Sequence, residues 1–206
     1  MRKAQTKKRN YSAIQLVEAM QLVGRESLLR WQLDVPDHPP GSDLLTHLKR
    51  LEVFDLESTE EAKTLLIDAL FAEIVVHYPK LKIWKAEKLE TDTLTGVADY
   101  LIAPRRAYVA TPLLCVTEAK RDDFEKGRVQ CLAEMVACQW NNRQSGLDID
   151  VYGIVSNGQG WRFYKLTNVG DVYETNQYGI EDLSGLLGAL DYVCAECSHN
   201  APNIIN

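Results

Sequence analysis

The chain has 206 residues, of which 46% are hydrophobic, and a formal net charge of −6 at pH 7. A chain of this length can bury a hydrophobic core within one domain. Five basic residues and no acidic residue occupy the first ten positions, so the remaining residues carry a net charge of −11. This excess of acids argues against a protein that binds nucleic acid through a broadly basic surface, but it is compatible with a local positive patch.

The cysteines indicate a reducing compartment. Their number is odd and most lie in apolar segments, which is typical of buried free thiols. A C-x-x-C pair occurs near the end of the chain, but a structural zinc ion needs four ligands and no second pair is present. No apolar run is as long as a membrane span. We therefore expect a cytoplasmic protein with no membrane partner. The five cysteines are Cys115, Cys131, Cys138, Cys194 and Cys197.

The N-terminal part of the chain predicts a tail and two helices. Residues 1–10 are basic and polar, and they predict a disordered tail. Apolar residues at helical spacing from Ser12 onward predict an amphipathic helix that is interrupted near Gly24. Three prolines between residues 35 and 41 predict a connector, because proline lacks an amide donor and has a fixed φ. A short helix is predicted over residues 43–51.

The remaining elements predict a mixed α/β core. A capping-box pattern at Ser58 and Glu61 begins a helix that contains Glu73 and ends before Pro79. Alternating and apolar segments then predict three strands, a long helix, a two-stranded hairpin and a final helix. Their expected ranges are 81–91, 97–103 and 113–120 for the strands, 122–141 for the helix, 148–155 and 160–166 for the hairpin, and 183–194 for the last helix. Residues 11–57 are expected to be a helical extension packed on a core of residues 58–206, with a single domain overall.

Polar residues at the ends of the second and third predicted strands suggest a metal site. Asp99 lies in an apolar strand, and Glu118 and Lys120 close the next strand on the same face, because alternate residues of a strand share a face. Carboxylate and carbonyl oxygens are the ligands that Mg²⁺ prefers, and one or two carboxylates usually suffice. If the strands are neighbours, Asp99, Glu118 and the carbonyl of Ala119 would hold the ion. The side chain of Gln130, on the following helix, would point toward the ion.

The same residues carry a resemblance to a known superfamily. Asp99, the Glu118-x-Lys120 motif and Gln130 on the next helix are similar to the signature of the PD-(D/E)XK nucleases. The hairpin that contains residues 151–158 and 161–164 resembles the corresponding segment in the nuclease domain of type I restriction subunits. The similarity spans roughly residues 65–166, and Ala98 stands where the superfamily has its proline.

This resemblance implies a restriction endonuclease-like core, a mixed β-sheet flanked by helices, with Mg²⁺ or Mn²⁺ as cofactor and DNA as substrate. It implies that Asp99, Glu118, Lys120 and Gln130 are catalytic. Glu73, on the helix before the first core strand, would join Asp99 and Glu118 as a metal ligand. No recognition domain is evident beyond the core, so either specificity is low or a protein partner supplies it, and a two-fold dimer would suit cutting of both strands.

Two other interpretations remain open from the sequence. The chain could be a nucleic-acid-binding or regulatory module that keeps this fold without useful cleavage. It could also be an interaction protein in which Asp99, Glu118 and Lys120 form a structural ion-pair network. Loss of metal binding or tight binding to a protein would distinguish these interpretations from a nuclease.

Overall fold

A computed structural model describes residues 8–56, 58–120 and 123–203 of the chain. Five α-helices, two short 3-10 helices (Tyr11–Ala13 and Ile180–Asp182) and nine strands lie within these ranges. The helices are α1 (Leu16–Val23), α2 (Ser42–Leu51), α3 (Glu60–Val75), α4 (Phe124–Gln144) and α5 (Leu183–Asn200). The strands are β1 (Arg9–Asn10), β2 (Leu29–Trp31), β3 (Leu81–Glu90), β4 (Leu94–Pro104), β5 (Cys115–Ala119), β6 (Val151–Ser156), β7 (Gly160–Leu166), β8 (Val172–Thr175) and β9 (Tyr178–Gly179).

The strands form one mixed sheet. Its main order is β1-β4-β5-β6-β7-β8-β2, with β3 also paired to β4 and β9 to β7. The pairs β1–β4, β5–β6 and β2–β8 are parallel, and the others are antiparallel. The parallel step from β5 to β6 requires a long crossover, and α4 supplies it. The expected mixed sheet flanked by helices is confirmed.

Strand β4 has different neighbours along its two edges. One edge pairs with β3 from Thr95 to Pro104. The other edge pairs with β5 at residues 100–102 and with β1 at Leu94 and Thr95. The backbone of residues 96–99 therefore lies between two short ladders. This gap in the pairing contains Asp99.

Helices cover both faces of the sheet, and each face has its own apolar cluster. On one face, α3 and α5 pack over residues such as Tyr100, Cys115 and Ile154. On the other face, α1 and α4 pack over residues such as Val116 and Val155. The helix starts follow from capping side chains. Thr59, Asp123 and Asp182 accept hydrogen bonds from the N–H groups of Ala62, Lys126 and Gly185.

The N-terminal region differs from its prediction in three ways. Arg9 and Asn10 pair with β4, so the predicted tail is ordered from Lys8 onward, and residues 1–7 lie outside the described residues. The predicted second half of the first helix is absent, because Gly24 adopts a φ of +67° and ends α1. Leu29–Trp31 instead forms an edge strand against β8. Residues 11–57 thus contribute to the sheet and to both apolar clusters, and are more than a helical layer on its surface.

No helix within the described ranges is long and apolar enough to cross a membrane. All five cysteines are buried and free, and Cys194 and Cys197 lie on the inner side of α5. This burial fits the expectation that they act as small apolar side chains.

Gly188 sets the approach of the proline-rich connector to α5. A Cβ at this position would lie 2.4 Å from the backbone oxygen of Pro36, and a backbone atom cannot move aside as a flexible side chain can. We predict that Gly188→Ala lowers the free energy of unfolding by about 1–3 kcal/mol, despite the higher helix propensity of alanine. Urea unfolding followed by circular dichroism would measure the change. Gly185→Ala in the same helix is the matched control, because its Cβ would approach only the Asp182 side chain. A smaller loss in Gly188→Ala than in this control would contradict the prediction.

Candidate active site

Strand register brings Asp99 and Glu118 together. The antiparallel pairs between β4 and β5 are Tyr100–Thr117, Leu101–Val116 and Ile102–Cys115. One further step along the two strands places Asp99 opposite Glu118. Residues directly opposite each other in antiparallel strands project from the same face and have neighbouring Cβ atoms. The predicted proximity of these two acids therefore follows from the register.

The backbone pairing of β4 and β5 ends at this point, and the side chain of Asp99 accepts the next hydrogen bond. Asp99 Oδ2 accepts a hydrogen bond of 2.8 Å from the backbone N–H of Ala119. On the other side of β4, Ala86 of β3 stands opposite Asp99 and has a φ of +54°, the one positive φ of a non-glycine residue in the described chain. Such a conformation is uncommon for a residue with a Cβ, and strained backbone of this kind clusters at functional sites.

Lys120 forms an ion pair with Glu118. Its Nζ contacts Glu118 Oε1, the Glu118 side chain is completely buried and 15% of the Lys120 side chain is exposed. The backbone N–H of Lys120 donates to the carbonyl of Ser156 at 2.8 Å, which fixes the start of the lysine at the end of β6. The lysine is therefore held at both ends, by its backbone N–H and by its ammonium.

Gln130 links two buried carboxyl groups. Its Nε2 donates to Glu118 Oε2 at 2.9 Å and to Glu134 Oε1 at 3.1 Å. Glu134 is completely buried, and its Oε2 has no hydrogen-bond partner among the described residues. The predicted role of Gln130 near the site is thus a contact with Glu118. Glu134, four residues after Gln130 on the same flank of α4, continues the network.

The acids share a crowded environment. Burial, followed by the charge of Asp99, raises the pKa of Glu118 to about 8, although Lys120 acts in the opposite direction. Burial also raises the pKa of Asp99, against the Ala119 hydrogen bond and Lys120. Burial and Glu118 raise the pKa of Glu134 well above its ordinary value. Burial therefore favours the protonated form of these carboxyl groups, whereas the Lys120 ammonium favours the charged form of Glu118.

The charge of Lys120 is stabilised by the same acids. Burial lowers the pKa of its ammonium, but Glu118 and Asp99 outweigh burial, and the net shift is upward. A lysine that holds its proton can stabilise negative charge, whereas a lysine base needs a depressed pKa. The electrostatic role expected for Lys120 is thus the one that its surroundings favour.

Glu73 does not join the other predicted site residues. Its Oε1 accepts a hydrogen bond of 2.8 Å from the backbone N–H of Gly41, just before α2. It lines a different depression, between α2 and α3, with residues such as His47. The assignment of Glu73 as a metal ligand is therefore corrected. Glu73 lies on α3 as predicted, but on a turn of the helix that faces Gly41 and not Asp99 or Glu118.

Glu60, at the first position of α3, lies near the site instead. Its charge acts on Asp99, Glu118 and Lys120, raising the pKa of all three. Glu60 and Glu73 are thirteen residues apart in one helix, which corresponds to about 20 Å along its axis. The capping pattern at Ser58 and Glu61 indicated that a helix starts here, but it did not indicate that Glu60 lies near a site.

An open pocket adjoins Asp99. Its volume is about 230 Å³, and it is bounded by the first turns of α3, by β3 and by the end of β5. On its wall, the Tyr100 hydroxyl donates to Asp68 Oδ1 at 2.9 Å, and Lys85 Nζ contacts the same carboxylate at 2.7 Å. The lining residues are Glu60, Glu61, Thr64, Lys85, Ala86, Asp99, Tyr100 and Ala119. Solvent therefore reaches one side of Asp99.

The site offers few carboxylates to a divalent cation. Within the described ranges, no group of three or more His, Cys, Asp or Glu side chains is placed to hold a metal ion. Mg²⁺ and Mn²⁺ need fewer, because they take one or two carboxylates together with water and phosphate oxygens. Asp99 and Glu118 provide two such carboxylates, and burial is the main cause of the raised pKa of each. The chemistry of these residues fits a hard cation.

Comparisons with known proteins add no family assignment. No protein-family model matches the sequence, and no curated protein matches it significantly.

The shifted carboxyl groups predict how stability depends on pH. The pKa of Glu118 is about 8 in the folded protein and its ordinary value is 4.5, so the folded state holds a proton that the unfolded state has lost between these pH values. We predict that the free energy of unfolding falls as pH rises from about 5 to 8, with one such group contributing a slope of about −1.4 kcal/mol per pH unit. Glu134 contributes with the same sign.

Urea unfolding at a series of pH values would test this dependence. Glu118→Gln and Glu134→Gln should each make the slope less negative, because the amide has the shape of the protonated acid and cannot ionise. Glu52→Gln, at an exposed position after α2, should leave the slope unchanged. An unaltered slope in both buried-site variants would show that neither acid is protonated in the folded state.

Proposed function

We propose that this protein is a metal-dependent nuclease that hydrolyses DNA phosphodiester bonds in a restriction endonuclease-like core. The observation that carries the proposal is the meeting of Asp99, Glu118 and Lys120 at the point where β4 and β5 diverge, beside an open pocket. A structural ion pair would need only two of these groups, and it would not need solvent access.

The order of elements supports the same proposal. Helix α3, the antiparallel strands β3, β4 and β5, the crossover helix α4 and the parallel strand β6 follow one another in the order that the sequence resemblance implies. The two acids and the lysine lie on the second and third of these strands, and Gln130 lies on the crossover helix. Fold similarity alone would not indicate chemistry, so the proposal depends on these side chains.

Each residue has a distinct role in this mechanism. Asp99 and Glu118 would hold Mg²⁺ or Mn²⁺, which supplies Lewis-acid polarisation of the phosphoryl group and an activated water. The Lys120 ammonium offsets negative charge that develops on the phosphate. Gln130 fixes the orientation of Glu118, and the Ala119 N–H fixes that of Asp99. Glu60 adds negative charge near the pocket and would strengthen attraction for a cation.

One observation favours a second candidate function. Both oxygens of Glu118 already have partners, in Lys120 and Gln130, so a bound ion would have to displace the lysine. A module that binds nucleic acid without useful cleavage would keep this closed arrangement. A cleavage assay separates the two functions, because only the nuclease cuts DNA.

A cleavage assay tests the proposed nuclease directly. We expect plasmid and single-stranded DNA to be cut in Mg²⁺ or Mn²⁺ but not in EDTA, and we expect Asp99→Asn and Lys120→Ala to reduce cutting by a factor of at least about 100. Glu73→Gln should cut at the wild-type rate, because its side chain bonds to Gly41 on a different part of α3.

Absence of cutting by the wild type would contradict the proposal in its catalytic form. Calorimetric titration of Mn²⁺ would then separate the alternatives. Binding by the wild type that Asp99→Asn loses would indicate a module that has kept its metal site. Binding by neither would leave the ion-pair network of an interaction protein.

Gly127 provides a test of how Lys120 is positioned. A Cβ on this residue of α4 would lie 2.6 Å from Val155 Cγ1 and 3.0 Å from Lys120 Cγ. We predict that Gly127→Ala folds but moves the lysine stem, and that it lowers the cleavage rate roughly 10- to 100-fold, as small misplacements of catalytic groups do. Gln144→Ala, exposed at the other end of α4, should cut like the wild type. Unchanged cutting by Gly127→Ala would show that close packing at this position does not position Lys120.

A further inference from the structure

Two arginines converge beside the site on the α4 face of the sheet. Arg128 lies on α4, Arg162 lies on β7, and the carboxylate of Glu174 on β8 stands between them. Nη1 of Arg128 is 3.8 Å from Glu174 Oε1, and Nη1 of Arg162 is 3.6 Å from the same atom. We call these three residues, together with Phe124, the arginine cluster.

The sheet register places this cluster close to Glu118. Val155 of β6 pairs with Glu118 on one side and with Arg162 on the other. Glu118, Val155 and Arg162 therefore form one row across three adjacent strands. Neighbouring strands are about 4.8 Å apart, so the Cα atoms of Glu118 and Arg162 are separated by about 10 Å. The row also continues to Asp99 in the opposite direction, so the cluster and the site share one line across the sheet.

Arg162 has unused hydrogen-bonding capacity. Among the described residues its guanidinium donates no hydrogen bond, and its Nε is buried without a partner. The guanidinium lies 5.5 Å from the centre of the Phe124 ring, which holds it by a cation–π contact. Since 29% of its side chain is exposed, a ligand from solvent can reach the outer edge of the fork.

Arg128 is similarly oriented but incompletely satisfied. Its Nε is buried without a partner, and its second terminal nitrogen contacts Glu125, whose side chain is 65% exposed. Glu174 is fixed in turn, because the Tyr164 hydroxyl donates to its Oε1 at 2.9 Å. Glu174 thus orients both guanidinium groups at distances too long for hydrogen bonds. Among the described residues, the terminal nitrogens of Arg162 and Nη1 of Arg128 donate no hydrogen bond.

We propose that Arg128 and Arg162 bind a backbone phosphate of the nucleic-acid strand whose neighbouring phosphate lies at Lys120. The planar guanidinium fork matches a phosphate group, and bidentate contacts of this kind are among the strongest in nucleic-acid recognition. The location explains why the ligand is a backbone phosphate, because Arg128 directly follows Gly127, which packs against the Lys120 stem, so a strand bound at Lys120 passes the cluster at the start of α4. This inference rests on the proposed nuclease function.

Gly160 keeps the cluster accessible. A Cβ at this position would lie 3.2 Å from Phe124 Cζ and 2.6 Å from Gln177 Nε2. A side chain here would push Phe124 from its place against Arg162, and it would displace the Gln177 amide. The absence of a side chain at residue 160 therefore preserves the support of the arginine.

The salt dependence of binding provides the test. Fluorescence anisotropy with a labelled DNA duplex would be measured over a range of salt concentrations, in Ca²⁺ and in EDTA buffer. Loss of one phosphate contact lowers the slope of the logarithm of the binding constant against the logarithm of salt concentration by about 0.9 for duplex DNA. We expect this change in Arg162→Gln. The matched control is Arg50→Gln at the exposed end of α2, which should keep the wild-type slope and affinity.

A second substitution keeps the proposal testable if Arg162→Gln folds poorly. Arg162→Lys keeps the charge beside Glu174 but loses the fork, so it should keep the wild-type slope while binding several-fold more weakly. A thermal melt would show that each variant is folded. Equal affinity and slope in wild type and both Arg162 variants would overturn the phosphate contact while leaving the nuclease proposal intact.

Two further outcomes have distinct meanings. If the wild type binds no DNA in either buffer, the proposed function and the phosphate contact both fail. If inorganic phosphate raises the melting temperature of the wild type but not of Arg162→Gln, while DNA binding is the same in both, the cluster binds a free anion and the backbone contact is overturned.

Discussion

The site depends on the hydrogen bond from the Ala119 N–H to Asp99 Oδ2, because it stands where backbone pairing of β4 and β5 ends. A continued ladder would have turned the two strands into a closed surface. A side-chain acceptor lets β5 leave β4, while it still satisfies the amide. The divergence opens the pocket beside Asp99, and the same bond holds this carboxylate opposite Glu118. Strand geometry and acid placement therefore have one cause.

The second constraint is an excess of buried acid over buried base. Glu118 and Glu134 are completely buried, Asp99 is partly buried, and Lys120 is the one cation in contact with them in the described structure. Burying an unpaired carboxylate is costly, so such groups take up protons or cations. Gln130 cannot neutralise a charge, but its amide nitrogen bridges the two glutamates by donating a hydrogen bond to each. A network of this kind is costly for a purely structural role, because an apolar core would be more stable at the same positions.

The sequence predicted the local parts of this arrangement and missed the parts that depend on packing. Asp99, Glu118 and Lys120 could be placed because strand alternation and chain order suffice. The sequence could not show that Glu73 lies away from the site, because the turn of α3 that meets the site depends on how the helix crosses the sheet. The turns that contain Glu60 and Glu73 both carry acids. For Gly127, the sequence indicated only a residue that is unfavourable within a predicted helix. The strand Leu29–Trp31 was missed because it pairs with residues 173–175, far along the chain, whereas helical spacing is a local signal.

The proposed function requires an acidic chain to engage a polyanion. Long-range attraction is weak for a chain whose net charge is −6, so affinity has to come from a few close contacts. Lys120, Arg128 and Arg162 lie at one end of the sheet, and each is oriented by a carboxylate that does not cancel its donors. So few phosphate contacts give a shallow salt dependence and modest affinity. Tight or sequence-specific binding would then require a second subunit or a partner, and this requirement follows from the charge of the chain rather than from any missing residue in the site.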